Sequence, residues 1–132
     1  MNEAKDLLWR CLQPLLRDFA ERIAASDSTV SYSVGCTSND AFLIRGYVSL
    51  RKAAADEEIA VAVDAAFEDG QIVLSADACM ATGQVLADGP KATMPSSAML
   101  SSSRTPLAEW LRRFEDFLAS IEAAVKERVA AL

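Results

Sequence analysis

The chain has 132 residues, 52% of them hydrophobic, and carries a net charge of −6 from 13 Lys and Arg against 19 Asp and Glu, with a pI near 4.6. The length fits one domain, and scattered cations on an acidic chain argue against nucleic acid or an anionic membrane surface as partner. Histidine is absent, which removes the commonest general base and metal ligand and excludes His-dependent serine, cysteine and zinc hydrolases.

No apolar run approaches the roughly 18 residues of a membrane-spanning helix. The opening Met1-Asn2-Glu3-Ala4-Lys5-Asp6 lacks the basic start and apolar core of a secretory signal, so none is expected. Cys11, Cys36 and Cys79 are odd in number and widely spaced, which suits neither a disulfide framework nor a CxxC metal site. A reducing cytoplasm is the expected location, with no cofactor and no metal.

Residues 3–24 place Leu8, Leu12, Leu15, Phe19 and Ile23 on one stripe, an amphipathic helix. Pro14 inside it predicts a kink or a late start. Trp9 and Leu16 fall off the stripe and either widen the buried face or contact a second chain.

A strand follows in which Val30, Tyr32, Val34 and Cys36 alternate with polar or small residues, then a turn at 37–41, then a strand with Phe42, Ile44, Gly46, Val48 and Leu50 inward. The expected pairing sets Tyr32 opposite Gly46, an aromatic ring covering a strand glycine. Joining the second and third strands with Leu50 opposite Ile59 puts Phe42 opposite Phe67 and Arg45 opposite Asp64.

The stretch from Glu57 to Ala81 reads as a hairpin. Ile59, Val61, Val63, Ala65 and Phe67 alternate on one side of Asp69-Gly70, and Ile72, Leu74, Ala76, Ala78 and Met80 on the other. Asp-Gly suits a type I′ turn, which needs positive φ at both central positions. If Glu68 and Gln71 close it, every apolar residue on one face meets another, and a slip by one residue would send the whole set into water.

Gln84 to Ala87 is a candidate fifth strand. Residues 89–104, with Pro90, Pro95 and five serines, read as an irregular arm presenting Met94, Met99 and Leu100. Thr105-Pro106 then opens the last helix, a side-chain cap followed by proline at the first helical position. Its stripe is Leu107, Leu111, Phe114, Leu118, Ile121, Val125 and Leu132, widened by Trp110 and Phe117.

The fold expected is a single α+β domain over 1–132. It is a two-layer sandwich with a helix over 1–26, an antiparallel meander of four strands, or five, over 29–88, the arm over 89–104 and a helix over 105–132, both helices on one sheet face. The opposite face would carry small and polar residues, with a row Ser33, Arg45, Asp64, Ser75 flanked by Tyr47 and Asp77. That row reads either as a solvated ion pair or as the polar centre of an interface. Asp64, Asp77 and Tyr47 offer proton-transfer groups, but an open row of Ala and Ser implies no pocket to shift their pKa values, and no catalytic residues are expected. Gly83 to Gly89 lacks the Lys-Ser/Thr of a phosphate loop. Cys36 and Cys79 read as packing or surface residues rather than nucleophiles.

In outline the leading helix, antiparallel sheet and closing amphipathic helix from Leu107 to Leu132 resemble the small acidic chaperones of type III secretion systems and, equally, toxin-neutralising immunity proteins. The chaperone pattern places a helix between strands, where Glu57 to Ala81 runs through as a hairpin, so no residue roles are carried over.

The expected function is a non-enzymatic protein-interaction module, a homodimer, working through Arg45, Asp64, Tyr47 and Asp77 on the open face and Met94, Met99 and Leu100 on the arm. The alternative is a carrier or sensor holding an apolar ligand between helices and sheet, where Gly46, Ala65, Ala76 and Ala78 leave room.

Overall fold

The computed structural model describes residues 2–38, 44–100 and 105–132. It contains α1 (Asn2–Ser26), β1 (Val30–Thr37), β2 (Ile44–Lys52), β3 (Glu58–Glu68), β4 (Gln71–Met80), β5 (Val85–Pro95), the short α2 (Ser97–Leu100) and α3 (Thr105–Ala130). The strands form one antiparallel sheet in the order β1-β2-β3-β4-β5. Both long helices pack on one face of it, giving the two-layer α+β sandwich.

The β3–β4 hairpin has the register its letters require. Asp69 and Gly70 take φ of 51° and 76°, Glu68 faces Gln71, and Ile59, Val61, Val63, Ala65 and Phe67 face Met80, Ala78, Ala76, Leu74 and Ile72. Phe67 is half-buried, while Ile59, Val61, Val63, Ile72 and Leu74 are fully buried beneath the helices. Burying side chains of this size stabilises by about 1.5–3 kcal/mol each.

Helix α1 runs unbroken from Asn2 to Ser26 with Pro14 inside, so the late start does not occur. Leu8, Leu12, Leu16, Phe19 and Ile23 are buried, whereas Leu15 is only half-buried. Leu16 therefore joins the core, because α1 is covered on two sides, by the sheet and by α3. Arg22 Nε donates to Glu122 Oε1 at 2.6 Å across the helix pair, and Lys126 Nζ reaches Glu122 Oε2 at 3.1 Å. These two cations hold the Glu122 carboxyl below its usual range, Arg22 contributing most. At the far end Lys52 Nζ donates to the Ala130 carbonyl at 2.7 Å, a cation at a helix C-terminus.

Two expectations about strands are corrected. Tyr32 faces Leu50 rather than Gly46, and Cys36 faces Gly46, a shift of the β1–β2 register that keeps every residue on its expected face. The cover that Gly46 lacks comes from α1: a Cβ on Gly46 would stand 3.1 Å from Trp9 Cζ3. Trp9 thus widens the buried face. Phe42 and its pairing with Phe67 lie outside the described residues, as does Leu43.

The second correction concerns the arm. Gly89 to Pro95 belongs to β5, which pairs with β4 from Gln71↔Pro95 to Cys79↔Val85. The register slips between Ser75/Asp77 and between Ala78/Cys79, so one residue of β4 faces two of β5 at each bulge. An edge strand with bulges accepts Pro90 and Pro95, since neither missing N–H is needed by a further strand.

Candidate functional site: the uncovered sheet face

Because strand side chains alternate, the helices cover only half of each strand, and the other half forms an uncovered face five strands wide. Its central row is Thr37, Arg45, Asp64, Ser75 and Lys91. Ser33, expected beside Arg45, instead faces Ser49, as the β1–β2 shift demands. Arg45 Nη1 stands 3.6 Å from Asp64 Oδ1, with the two side chains 46% and 27% exposed. That is an ion pair without a hydrogen bond, worth about 0.2–1 kcal/mol in this setting.

The adjacent row is Gly35, Tyr47, Ala62, Asp77 and Asp88. Tyr47 leans over Gly35, its hydroxyl 2.8 Å from where a Cβ there would stand. The aromatic cover of a strand glycine expected of Tyr32 is supplied on this face by Tyr47. Ala62, between Tyr47 and Asp77, is 1% exposed.

Asp77 sits in an unfavourable place. Asp88 is directly opposite, a like-charge pair across two strands. Burial pushes its carboxyl up, the charges of Asp64 and Asp88 add to the rise, and only Arg45 opposes it. Asp64 Oδ1 and Asp77 Oδ1 are both shielded from solvent and have no hydrogen-bond partner within the described protein. The Cys79 thiol is also raised, first by burial and then by Asp77, which disfavours the nucleophilic thiolate.

A native carboxyl with a raised pKa stabilises the fold only while protonated, and that contribution is lost as pH climbs through its folded pKa. Asp77→Asn is therefore expected to stabilise the protein at neutral pH, by less than about 1 kcal/mol because water screens this part-exposed group. The gain should shrink on mild acidification, as the wild-type carboxyl takes up its proton. Urea midpoints of both proteins at the two pH values check this; a destabilised variant at neutral pH would contradict it.

The remaining expected site residues are separated from this face. Met94 lies on the core side of β5 opposite Ile72 and is 2% exposed, so it is a core residue and not one presented to a partner. Its placement follows from strand pairing, which turns alternate residues of the expected arm inward. Met99 and Leu100 belong to α2, and their side chains lie outside what the structure describes. Asp88 and Lys91 were not legible as site residues, because the bulge around Gly89-Pro90 erases the period of two that would have put them on this face.

On the helix side a groove of about 360 Å³ opens between β4–β5 and the second half of α3, lined by Ala78, Leu86, Ala87, Ile121 and Val125 among others. Of the four small residues expected to leave room, only Ala78 borders it. Gly46 is filled by Trp9, and Ala65 and Ala76 are buried against their neighbours.

Among the described residues, no group of three or more carboxylate, thiol or imidazole side chains is arranged to hold a metal ion, and no helix is long and apolar enough to cross a membrane. The molecule is an open-faced α+β sandwich with an acidic centre on its uncovered sheet. No protein-family model matches the chain, and no curated protein or solved structure matches it at a significant level.

Proposed function

We propose that the protein is a non-enzymatic interaction module, of the adaptor, chaperone or immunity-protein kind, that docks a protein partner on the uncovered sheet face. One observation carries the reading. Two carboxylate oxygens at the centre of that face, on Asp64 and Asp77, are shielded from water and accept no hydrogen bond from the described residues, Asp64 having only its 3.6 Å ion pair with Arg45, and a third carboxylate, Asp88, lies alongside. A buried polar atom without a partner costs about 1–3 kcal/mol, a cost that a donor from outside the chain removes.

The partner that fits brings an Arg or Lys to Asp77 and Asp88, while Ala60, Ala62 and Ser75 allow close approach of its backbone. Desolvated arginines are frequent anchors at the centre of protein interfaces. Tyr47 borders the acidic centre and offers its phenol to the partner, whereas Arg45, already paired with Asp64, leaves Asp77 and Asp88 as the carboxylates open to the partner's cation.

The test uses a photo-crosslinking side chain at Ser75 and, separately, at the exposed Glu115 on the outer side of α3. A partner adduct formed from position 75 alone, and reduced at least tenfold by Asp77→Lys, supports the reading. Equal capture from both positions, or capture indifferent to the Asp77→Lys charge reversal, overturns it.

A second reading is favoured by the groove beneath α3, whose volume lies in the range of small-ligand sites. There the protein would carry a compact apolar molecule against Ala78, Ala87 and Val125. Native mass spectrometry of the purified protein tests it: a bound small molecule displaced by Ala87→Phe is expected, and a bare chain mass counts against it.

A further inference from the structure

The two edges of the sheet differ in kind. β5, at one edge, carries Asp88, Pro90, Lys91 and Pro95 and two bulges, the devices by which natural sheets prevent further strand pairing. β1, at the other, reads Val30-Ser31-Tyr32-Ser33-Val34-Gly35-Cys36-Thr37, with no proline and no charged residue. It pairs with β2 through eight consecutive residues with no bulge. Every second residue of β1 turns its N–H and C=O away from β2, and among the described residues only β2 and α1 pack substantially against it.

The edge is also clear of the helix. Tyr32 and Cys36 lie on the face that α1 covers, yet both are exposed, Tyr32 at 38%, so α1 stops short of the outer side of β1. An unprotected, regular, uncharged edge strand with an exposed aromatic ring is a template for another strand.

We infer that β1 pairs antiparallel with β1 of a second copy of this chain, joining two five-stranded sheets into one. Self-pairing is what this strand suits. About a two-fold axis normal to the sheet, an even register keeps both faces matched. Tyr32, Val34 and Cys36 then meet residues from that same set on the helix side, and Ser31, Ser33 and Gly35 meet small polar partners on the other. The strand holds no charge, so its own image meets no repulsion. The helices of both copies end on the same side, and the uncovered faces merge into one surface ten strands wide, leaving Asp64 and Asp77 free. A strand-edge contact is at the small end of stable interfaces, so a micromolar dimer is expected.

Light scattering on the eluting full chain at about 100 μM, well above a micromolar Kd, should give twice the 14.2 kDa chain mass. Ser33→Lys puts a charge on the β1 edge without entering the core and should weaken the dimer at least tenfold, with an unchanged circular dichroism spectrum. Thr93→Lys, the corresponding change on β5, should leave it intact. Amide exchange on the wild type should show protection in 30–37 that rises with protein concentration. A monomer at this concentration, a dimer weakened equally by both lysines, or protection of 30–37 that is independent of concentration overturns the inference. Asp77→Lys separates it from the proposed function, since that change removes partner capture while leaving the chain mass doubled.

Discussion

Trp110→Ala is expected to remove about 3–5 kcal/mol of folding stability, the range for deleting a buried aromatic side chain and leaving its cavity. The indole is 1% exposed and stacks on Phe114 with ring centroids 5.3 Å apart and planes 5° apart. Phe114 in turn meets Phe117 at 6.4 Å, so one aromatic row runs along the face by which α3 sits on β5. The indole Nε1 also donates to the Pro90 carbonyl at 3.2 Å, tying the helix to the strand at its bulge. Since a domain of this size is stable by about 5–15 kcal/mol, the variant should lie close to unfolding at physiological temperature. Trp110→Phe separates the contributions, keeping most of the ring and losing the N–H, for about 1 kcal/mol beyond the volume change. Urea denaturation measures both. A cost below about 1 kcal/mol for Trp110→Ala would mean that α3 is not anchored on β5 as described.

Gly89→Ala should cost about 1–3 kcal/mol, the usual penalty for forcing atoms into a packed site. A Cβ there would stand 3.0 Å from both the Cβ and the carbonyl oxygen of Ala76 and 3.1 Å from Phe117 Cδ2. The first two belong to, or sit directly on, the neighbouring backbone and cannot swing aside; the third is a ring held in the aromatic row. Gly35→Ala is the control. Its Cβ would come closer still, 2.8 Å from the Tyr47 hydroxyl, but that is the far end of a side chain on the uncovered face. The phenol can rotate away, so Gly35→Ala should cost much less than Gly89→Ala despite the shorter contact. The reverse order of urea midpoints would refute the argument.

Much of this molecule was legible in its letters, for identifiable reasons. The β3–β4 register followed from Asp69-Gly70 and an unbroken alternation on both sides, because turn geometry and burial independently demand the same pairing. The pairing of Arg45 with Asp64 followed from extending that logic by one strand. α3 was legible because its apolar stripe is continuous and its start carries Pro106.

The failures have equally specific causes. A register shift that preserves the face leaves every burial preference unchanged, so the letters of β1 and β2 could not choose between Leu50 and Gly46 as the partner of Tyr32. In the folded chain Trp9 of α1 covers Gly46, so no ring from β1 is needed there. The part of β5 from Gly89 to Pro95 reads as an arm because the bulge beside it breaks the period of two and its prolines read as breakers; both are tolerated because, among the described residues, β5 is an edge strand. Met94 reads as part of that arm, yet strand pairing turns it into the core.

The sequence by itself determined which residues of β2, β3 and β4 face the core, that the two long helices and the first four strands form, and how β2, β3 and β4 align, since these follow from periodicities of two and 3.6 and from one turn. Only the tertiary structure decided the β1–β2 register, the existence of β5 and the composition of the uncovered face. Lys91 and Asp88 reach Ser75 and Asp77 through strand pairing, and the acidic centre is complete only when β5 lies beside β4. The physical reason is that a periodic pattern encodes orientation, which is local, whereas neighbourhood is settled by whichever side chains from other elements fill the remaining space.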